Sequence, residues 1–133
     1  EDTRFLTGAG AYVDDIAPAG ALVGYVFRAP MAHGEISELD VSAARSANGV
    51  HAVLTAADLS EMGVANAMRF FQAENRDGTK GNAAPRPILA EGRVRFVGDP
   101  LAFIVAETLQ QAKDAAELIL LDVDDLPVKL DLA

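Results

Sequence analysis

A chain of 133 residues, half of them apolar and 23% charged, is long enough for one buried core and too apolar to be disordered. Its 20 acidic against 11 basic residues leave a net charge of −9, a sign that repels nucleic-acid phosphates and anionic lipid and argues against both as partners. Cysteine is absent, which removes disulfides, thiolate nucleophiles, Cys-ligated zinc and iron–sulfur ligation from the chain's own chemistry and is compatible with a cytoplasmic setting.

Tryptophan is also missing and aromatics are scarce, so the core must be aliphatic. No apolar run reaches the ~18 residues of a membrane span, and no signal-peptide pattern opens the chain. Residue 1 is Glu, as expected of a sequence that begins inside a longer polypeptide.

In chain order, "EDTRFLTGAGAYVDDIAPAG" reads as loop, its periodicity interrupted by Gly8, Gly10, Pro18 and Gly20. "ALVGYVFRAP" is a predicted strand ended by Pro30, and "HGEISELDV" a second with Ile36 and Leu39 as its apolar residues. "DVSAARSANG" predicts a short helix capped by Asp40 and stopped at Asn48-Gly49. "VHAVLT" is a buried strand. Thr55 then opens a further helical turn, with Asp58 at capping-box spacing and Gly63 at its end. Residues 63–88, rich in Gly, Asn and Pro, have the composition of a long loop, either mobile or committed to a partner through Phe70-Phe71.

"RVRFVGDPLAFIVAET" follows. Val94 and Phe96 alternate with Arg93, Arg95 and Val97, predicting a half-buried strand. Gly98-Asp99-Pro100 has turn chemistry and is expected to fold that strand back into "LAFIVA", a strand covered on both faces. Thr108 and Gln111 form a capping box for the clearest helix, whose apolar stripe is Leu109, Ala112, Ala116 and Ile119. "LLDVDDLPV" is a final strand. This order predicts an α+β domain with a mixed or antiparallel sheet, packed with two or three helices, and one domain over residues 1–133.

No catalytic cluster emerges from the residues. "GAG" at 8–10 lacks the third glycine of a dinucleotide loop, because position 13 is Val, and no strand precedes it. His33 and His51, the only histidines, lie 18 residues apart without metal-ligand spacing or a triad partner. A small hydrolase using either one with a carboxylate is the weakest reading. Asp14-Asp15 and Asp124-Asp125 are adjacent pairs, and neighbouring strand residues point to opposite faces. Arg28, directly after an apolar strand, can serve as a bidentate clamp for a carboxylate of a neighbouring domain or as half of an internal ion pair.

Five stretches in order carry a resemblance: "EDTRFLTGAGAYVDDI", "RAPMAHGEISELDVSAA", "GVHAVLTAADL", "RPILAEGRVRFVGDPLAFIVAET" and "AKDAAELILLDVDDLPV". Together they resemble the α/β-hammerhead domain at the N-terminus of the large subunit of molybdenum hydroxylases, the xanthine dehydrogenase, aldehyde oxidase and carbon monoxide dehydrogenase group. The family's usual "RSPHAHARI" appears as "RAPMAHGEI", its "GEP" as Gly98-Asp99-Pro100, and its "VDYEPLP" as "LDVDDLP".

The resemblance implies a parent molybdopterin-dependent oxidoreductase that also carries FAD and two-iron iron–sulfur clusters and oxidises aldehydes, N-heterocycles or carbon monoxide. It implies that this chain holds no catalytic, cofactor-binding or metal-ligating residue. Its expected partners are the C-terminal molybdopterin-binding part of the same subunit and the iron–sulfur and FAD domains or subunits. Arg4, Phe5, Gly8, Gly10, Arg28, His33, Phe70, Phe71, Gly98, Asp99 and Pro100 are the structural or interface candidates. The alternative is a free-standing acidic protein-binding module of the same fold.

Overall fold

A computed structural model describes residues 2–68, 72–81 and 86–131. The opening segment, read from sequence as loop, contains a short helix α1 (Asp2–Leu6) and a 3-10 turn at Val13–Asp15. Strands β1 (Val23–Arg28) and β2 (Gly34–Asp40) follow, then helix α2 (Ser42–Arg45), strand β3 (Val50–Leu54) and helix α3 (Ala56–Glu61). The second half holds β4 (Arg93–Val94), β5 (Pro100–Ala106), helix α4 (Leu109–Glu117) and β6 (Leu120–Asp125). No helix among the described residues is long and apolar enough to cross a membrane.

The α+β expectation holds and the pairing is antiparallel, one of the two arrangements expected, but the strands divide between two sheets, β1-β5-β3 and β4-β2-β6, where one was expected. The corner at Gly98–Pro100 explains the difference. It does not fold β4 back onto β5; it carries the chain from one sheet to the other. β4 pairs with β2 in the second sheet, whereas β5 runs between β1 and β3 as the centre of the first. Gly98 adopts φ +87°, a conformation open to glycine and strained for other residues, and Pro100 begins β5, a position where a missing N–H costs no ladder bond.

Two apolar clusters hold the layers together. The larger lies between the first sheet and α4, where Ala102, Ile104 and Ala106 of β5 meet Ala112, Ala115, Ala116 and Ile119. Alanine on the helix allows close approach to the strands. Ala115 joins the predicted stripe, so the buried set is 112, 115, 116 and 119, a helical face of ordinary width. Leu109, expected on that stripe, is 47% exposed at the first helical position. The smaller cluster, Ala29, Ala90, Val94 and Leu101, joins the sheets near the corner.

The helix starts are secured locally. Thr108 Oγ1 accepts from the Gln111 amide at 3.2 Å and donates to the Gln111 side-chain oxygen at 2.8 Å. At α3 the Asp58 carboxylate accepts from the Thr55 amide at 2.7 Å and the Thr55 hydroxyl at 2.6 Å. Val41, not Asp40, occupies the cap position of α2, although the Asp40 carboxylate accepts from the Ser42 amide at 2.8 Å.

Candidate docking surface

The alternation along β5 defines the most distinctive surface. Ala102, Ile104 and Ala106 point at α4 and are fully buried. On the opposite face Leu101 is fully buried where the second sheet begins, and Val105 is partly buried. Between them Phe103 is 36% exposed, so the strand is not fully covered on both faces as its wholly apolar sequence predicts. Antiparallel sheets can leave one face free, and this one leaves part of an apolar face free.

Phe103 stands between Val26 of β1 and Leu54 of β3 in the strand register, an apolar row across three strands. Its ring lies over Gly24, where an added Cβ would meet Phe103 Cζ at 2.5 Å. Leu59 of α3 and Ile88 border the same hollow of about 220 Å³, together with Leu89, Pro100 and Arg28. The lining is almost wholly apolar, with Arg28 its one charged residue.

The corner behind this face is heavily hydrogen-bonded. Asp99 is 2% exposed, and its Oδ2 accepts from the Arg95 amide at 3.0 Å. The Asp99 carbonyl accepts from the Ala29 amide at 2.9 Å, the Gly98 amide donates to the Ala29 carbonyl at 2.8 Å, and the Pro100 carbonyl accepts from the Ala90 amide at 2.6 Å. Arg28 Nη1 donates to the Gly98 carbonyl at 2.9 Å. Arg28 therefore braces the corner, and among the described residues it forms no ion pair of the kind its sequence position suggested.

The other candidates sit apart from this face. Arg4 and Phe5 lie on α1, and the Phe5 ring packs on Tyr12 with centroids 5.2 Å apart. Gly10 passes so close to the Phe5 ring that a Cβ there would collide with it, while Gly8 turns the chain at φ +71°. The backbone bonds of residues 3–16 stay within that segment, and Leu6 is 87% exposed. His33 donates from Nδ1 to the Pro127 carbonyl at 2.9 Å, since a carbonyl can only accept. His51 Nε2 lies 3.8 Å from Glu107, and both side chains are exposed. The two histidines thus sit at separate places, each with a local partner. Phe70 and Phe71 lie outside the described residues.

The described parts of the long segment read as loop, residues 63–68, 72–81 and 86–88, form an arm with antiparallel bridges. Met68 pairs with Arg86 and Glu74 with Lys80, and the Asn75 amide donates to the Thr79 carbonyl at 2.7 Å across the tip. Asn66 closes its base: the amides of Ile88 and Leu89 donate to its Oδ1 at 3.0 and 2.9 Å, and its Nδ2 donates to the Leu89 carbonyl at 2.8 Å. Asn66, Val26 and Phe103 were not visible as site residues. The only signal was the wholly apolar sequence of β5, which by itself reads as cover on both faces.

The chain has no cysteine, and among the described residues no group of three His, Asp or Glu side chains is placed to hold a metal. Gly8–Gly10 lies beside an aromatic ring after a helix, not between a strand and a helix N-terminus.

Comparison with known proteins places this architecture. The family model "Aldehyde oxidase and xanthine dehydrogenase, a/b hammerhead domain" matches residues 7–127. The chain is 40% identical over 131 residues to the nicotine 6-hydroxylase large subunit of Paenarthrobacter nicotinovorans, and 37% identical over the same length to the carbon monoxide dehydrogenase large chain of Hydrogenophaga pseudoflava. In each case it is covered over 98% of its own length and spans 15% of the relative. Quinoline 2-oxidoreductase from Pseudomonas putida 86 superposes with a TM-score of 0.84 at 35% identity, over 95% of this chain and 15% of that one. This chain belongs to the a/b hammerhead domain family of the aldehyde oxidases and xanthine dehydrogenases.

Proposed function

We propose that this domain braces the large subunit of a molybdenum hydroxylase and takes no direct part in its chemistry. The observation that carries the reading is the apolar row Val26–Phe103–Leu54, which the described residues cover only in part, leaving Phe103 36% exposed. Relatives of this chain continue for most of their length beyond the matched region, so they have the material to complete that cover. The occupant is the C-terminal, molybdopterin-binding part of the same subunit, with iron–sulfur and FAD domains or subunits as the further partners.

In this reading the parent enzyme is a molybdopterin-dependent oxidoreductase acting on an aldehyde, an N-heterocycle or carbon monoxide, with FAD and two-iron clusters as its electron carriers. The residues here supply rigidity. Removing the open face from water stabilises the assembled subunit by ~25 cal/mol per Å² of apolar area, and the hydrogen-bonded corner holds β5 in register while it does so.

The test uses the complete enzyme. Phe103→Ser in the large subunit is expected to lower the yield of assembled enzyme about tenfold or more, because a hydroxyl replaces the central ring of the contact. The enzyme that does assemble is expected to turn over normally, and His51→Ala is expected to leave both yield and turnover unchanged. Normal assembly of the Phe103→Ser enzyme, or substrate oxidation by residues 1–133 alone, would contradict the proposal.

A further inference from the structure

A second hollow is lined by cations and by no acidic side chain. Although the chain carries −9, four arginines gather about residues 93–100. Arg28 binds the Gly98 carbonyl, Arg86 lies 5.0 Å over the Phe96 ring, and Arg93 pairs with Glu35 at 2.7 Å. Arg95 Nη1 donates to the Arg93 carbonyl at 3.1 Å, and its amide is held by buried Asp99. Its guanidinium is thereby positioned with most of its five N–H donors unspent.

Arg95 lines a hollow of about 310 Å³ with Ala32, His33, Pro127, Val128 and Lys129. No acidic side chain lines it. The His33–Pro127 bond, together with the bond from the Leu126 amide to the His33 carbonyl at 3.1 Å, ties the segment after β6 to the start of β2 and so brings Lys129 to the same hollow as Arg95. Among the described residues neither Arg95 nor Lys129 has an ion-pair partner. The nearby acids are Glu91, which borders an adjoining hollow with Arg95, Asp125, opposite Gly34 in the strand register, and Asp131, two residues after Lys129. None of them pairs with either cation.

We propose that the hollow of His33, Arg95 and Lys129 receives a carboxylate side chain from an acidic segment elsewhere in the parent enzyme. Resting on the packing role above, this names the chemistry of a second contact. A carboxylate fits the fork of Arg95 and the point charge of Lys129 at once. A protein-borne carboxylate fits better than a small free anion. The hollow lacks the helix N-terminus or nest of backbone amides that holds free phosphate, and its cations are exposed. The floor of Pro127 and half-exposed Val128 also gives the apolar part of an incoming segment something to cover.

Carbodiimide coupling of the intact enzyme tests this, because it joins an ammonium only to a carboxylate in contact with it. Peptide mapping is expected to find Lys129 joined to an Asp or Glu outside residues 1–133. Lys129→Arg should abolish the link while the enzyme still assembles, and Arg95→Glu should lower its yield about tenfold.

A Lys129 that acetylates freely and forms no link would overturn the proposal, as would a link confined to Asp125 or Asp131. Protection of Lys129 by added inorganic phosphate, without a link, would assign the hollow to a free anion instead. If any of these occurred while Phe103→Ser still blocked assembly, the packing role would stand and only the acidic partner would be lost.

Discussion

Asp99 shows how one side chain can hold a corner. Its carboxylate is buried and accepts from the Arg95 amide, while its own carbonyl takes the Ala29 amide, so it joins the residue just after β4 to the residue just after β1. Asp99→Ala would leave the Arg95 amide without its acceptor and is expected to cost about 1–3 kcal/mol in urea unfolding. Asp99→Asn keeps a side-chain oxygen acceptor and is expected to lose less. Turn chemistry at Gly98-Asp99-Pro100 was readable from residue types. That the bonded amide belongs to Arg95, and that the corner joins two sheets, was not, because both depend on where distant strands lie. Glu35 illustrates the same limit: it stands where the family pattern has Arg, and its partner Arg93 is 58 residues away.

Among the elements, α3 and its cap make a small electrostatic unit that sequence spacing anticipated. Burial pushes the Asp58 carboxyl up, but hydrogen bonds from the Thr55 hydroxyl and amide, with the Arg45 guanidinium at 2.6 Å, outweigh it and hold its pKa below the ordinary carboxylate value. The folded state therefore binds the charged form better than the unfolded chain does. Its contribution is full above the ordinary carboxylate range, ~pH 4–5, and is lost as pH falls through the lower folded-state value. Asp58→Asn is expected to cost about 1 kcal/mol at neutral pH. The gap from wild type should close in acid, as read by urea midpoints at a series of pH values. Thr55 and Asp58 were visible at capping spacing. Arg45 was not, since it reaches Asp58 only once α2 and β3 have packed.

The two-sheet body is bonded across its strands, whereas the described residues 3–16 and 72–81 bond mainly among themselves. The hydrogen bonds of residues 72–81 stay within the arm, whereas β5 is bonded on both sides and largely buried. In the isolated domain, amides of the arm are expected to exchange orders of magnitude faster than those of residues 101–106, as local opening requires. In the complete enzyme, an arm that contacts a partner would slow by at least about tenfold, while β5 would change little. Equal protection of arm and β5 in the isolated domain would show that the arm belongs to the body after all.

Local and periodic features were determined by sequence alone. An aliphatic core, the α4 helix with its Thr108 cap, the strands near their observed places and the hammerhead resemblance all follow from nearest-neighbour chemistry or from ordered motifs. Tertiary structure decided what depends on distance along the chain: the division into two sheets, the exposure of Phe103, the closing of the arm by Asn66 and the shared hollow of Arg95 and Lys129. An apolar run looks the same whether one face or both are covered by its own chain. Which face stays open is set by the layers packed on it: α4 covers one side of β5, and among the described residues the corner, Leu59 and Ile88–Leu89 only border the other.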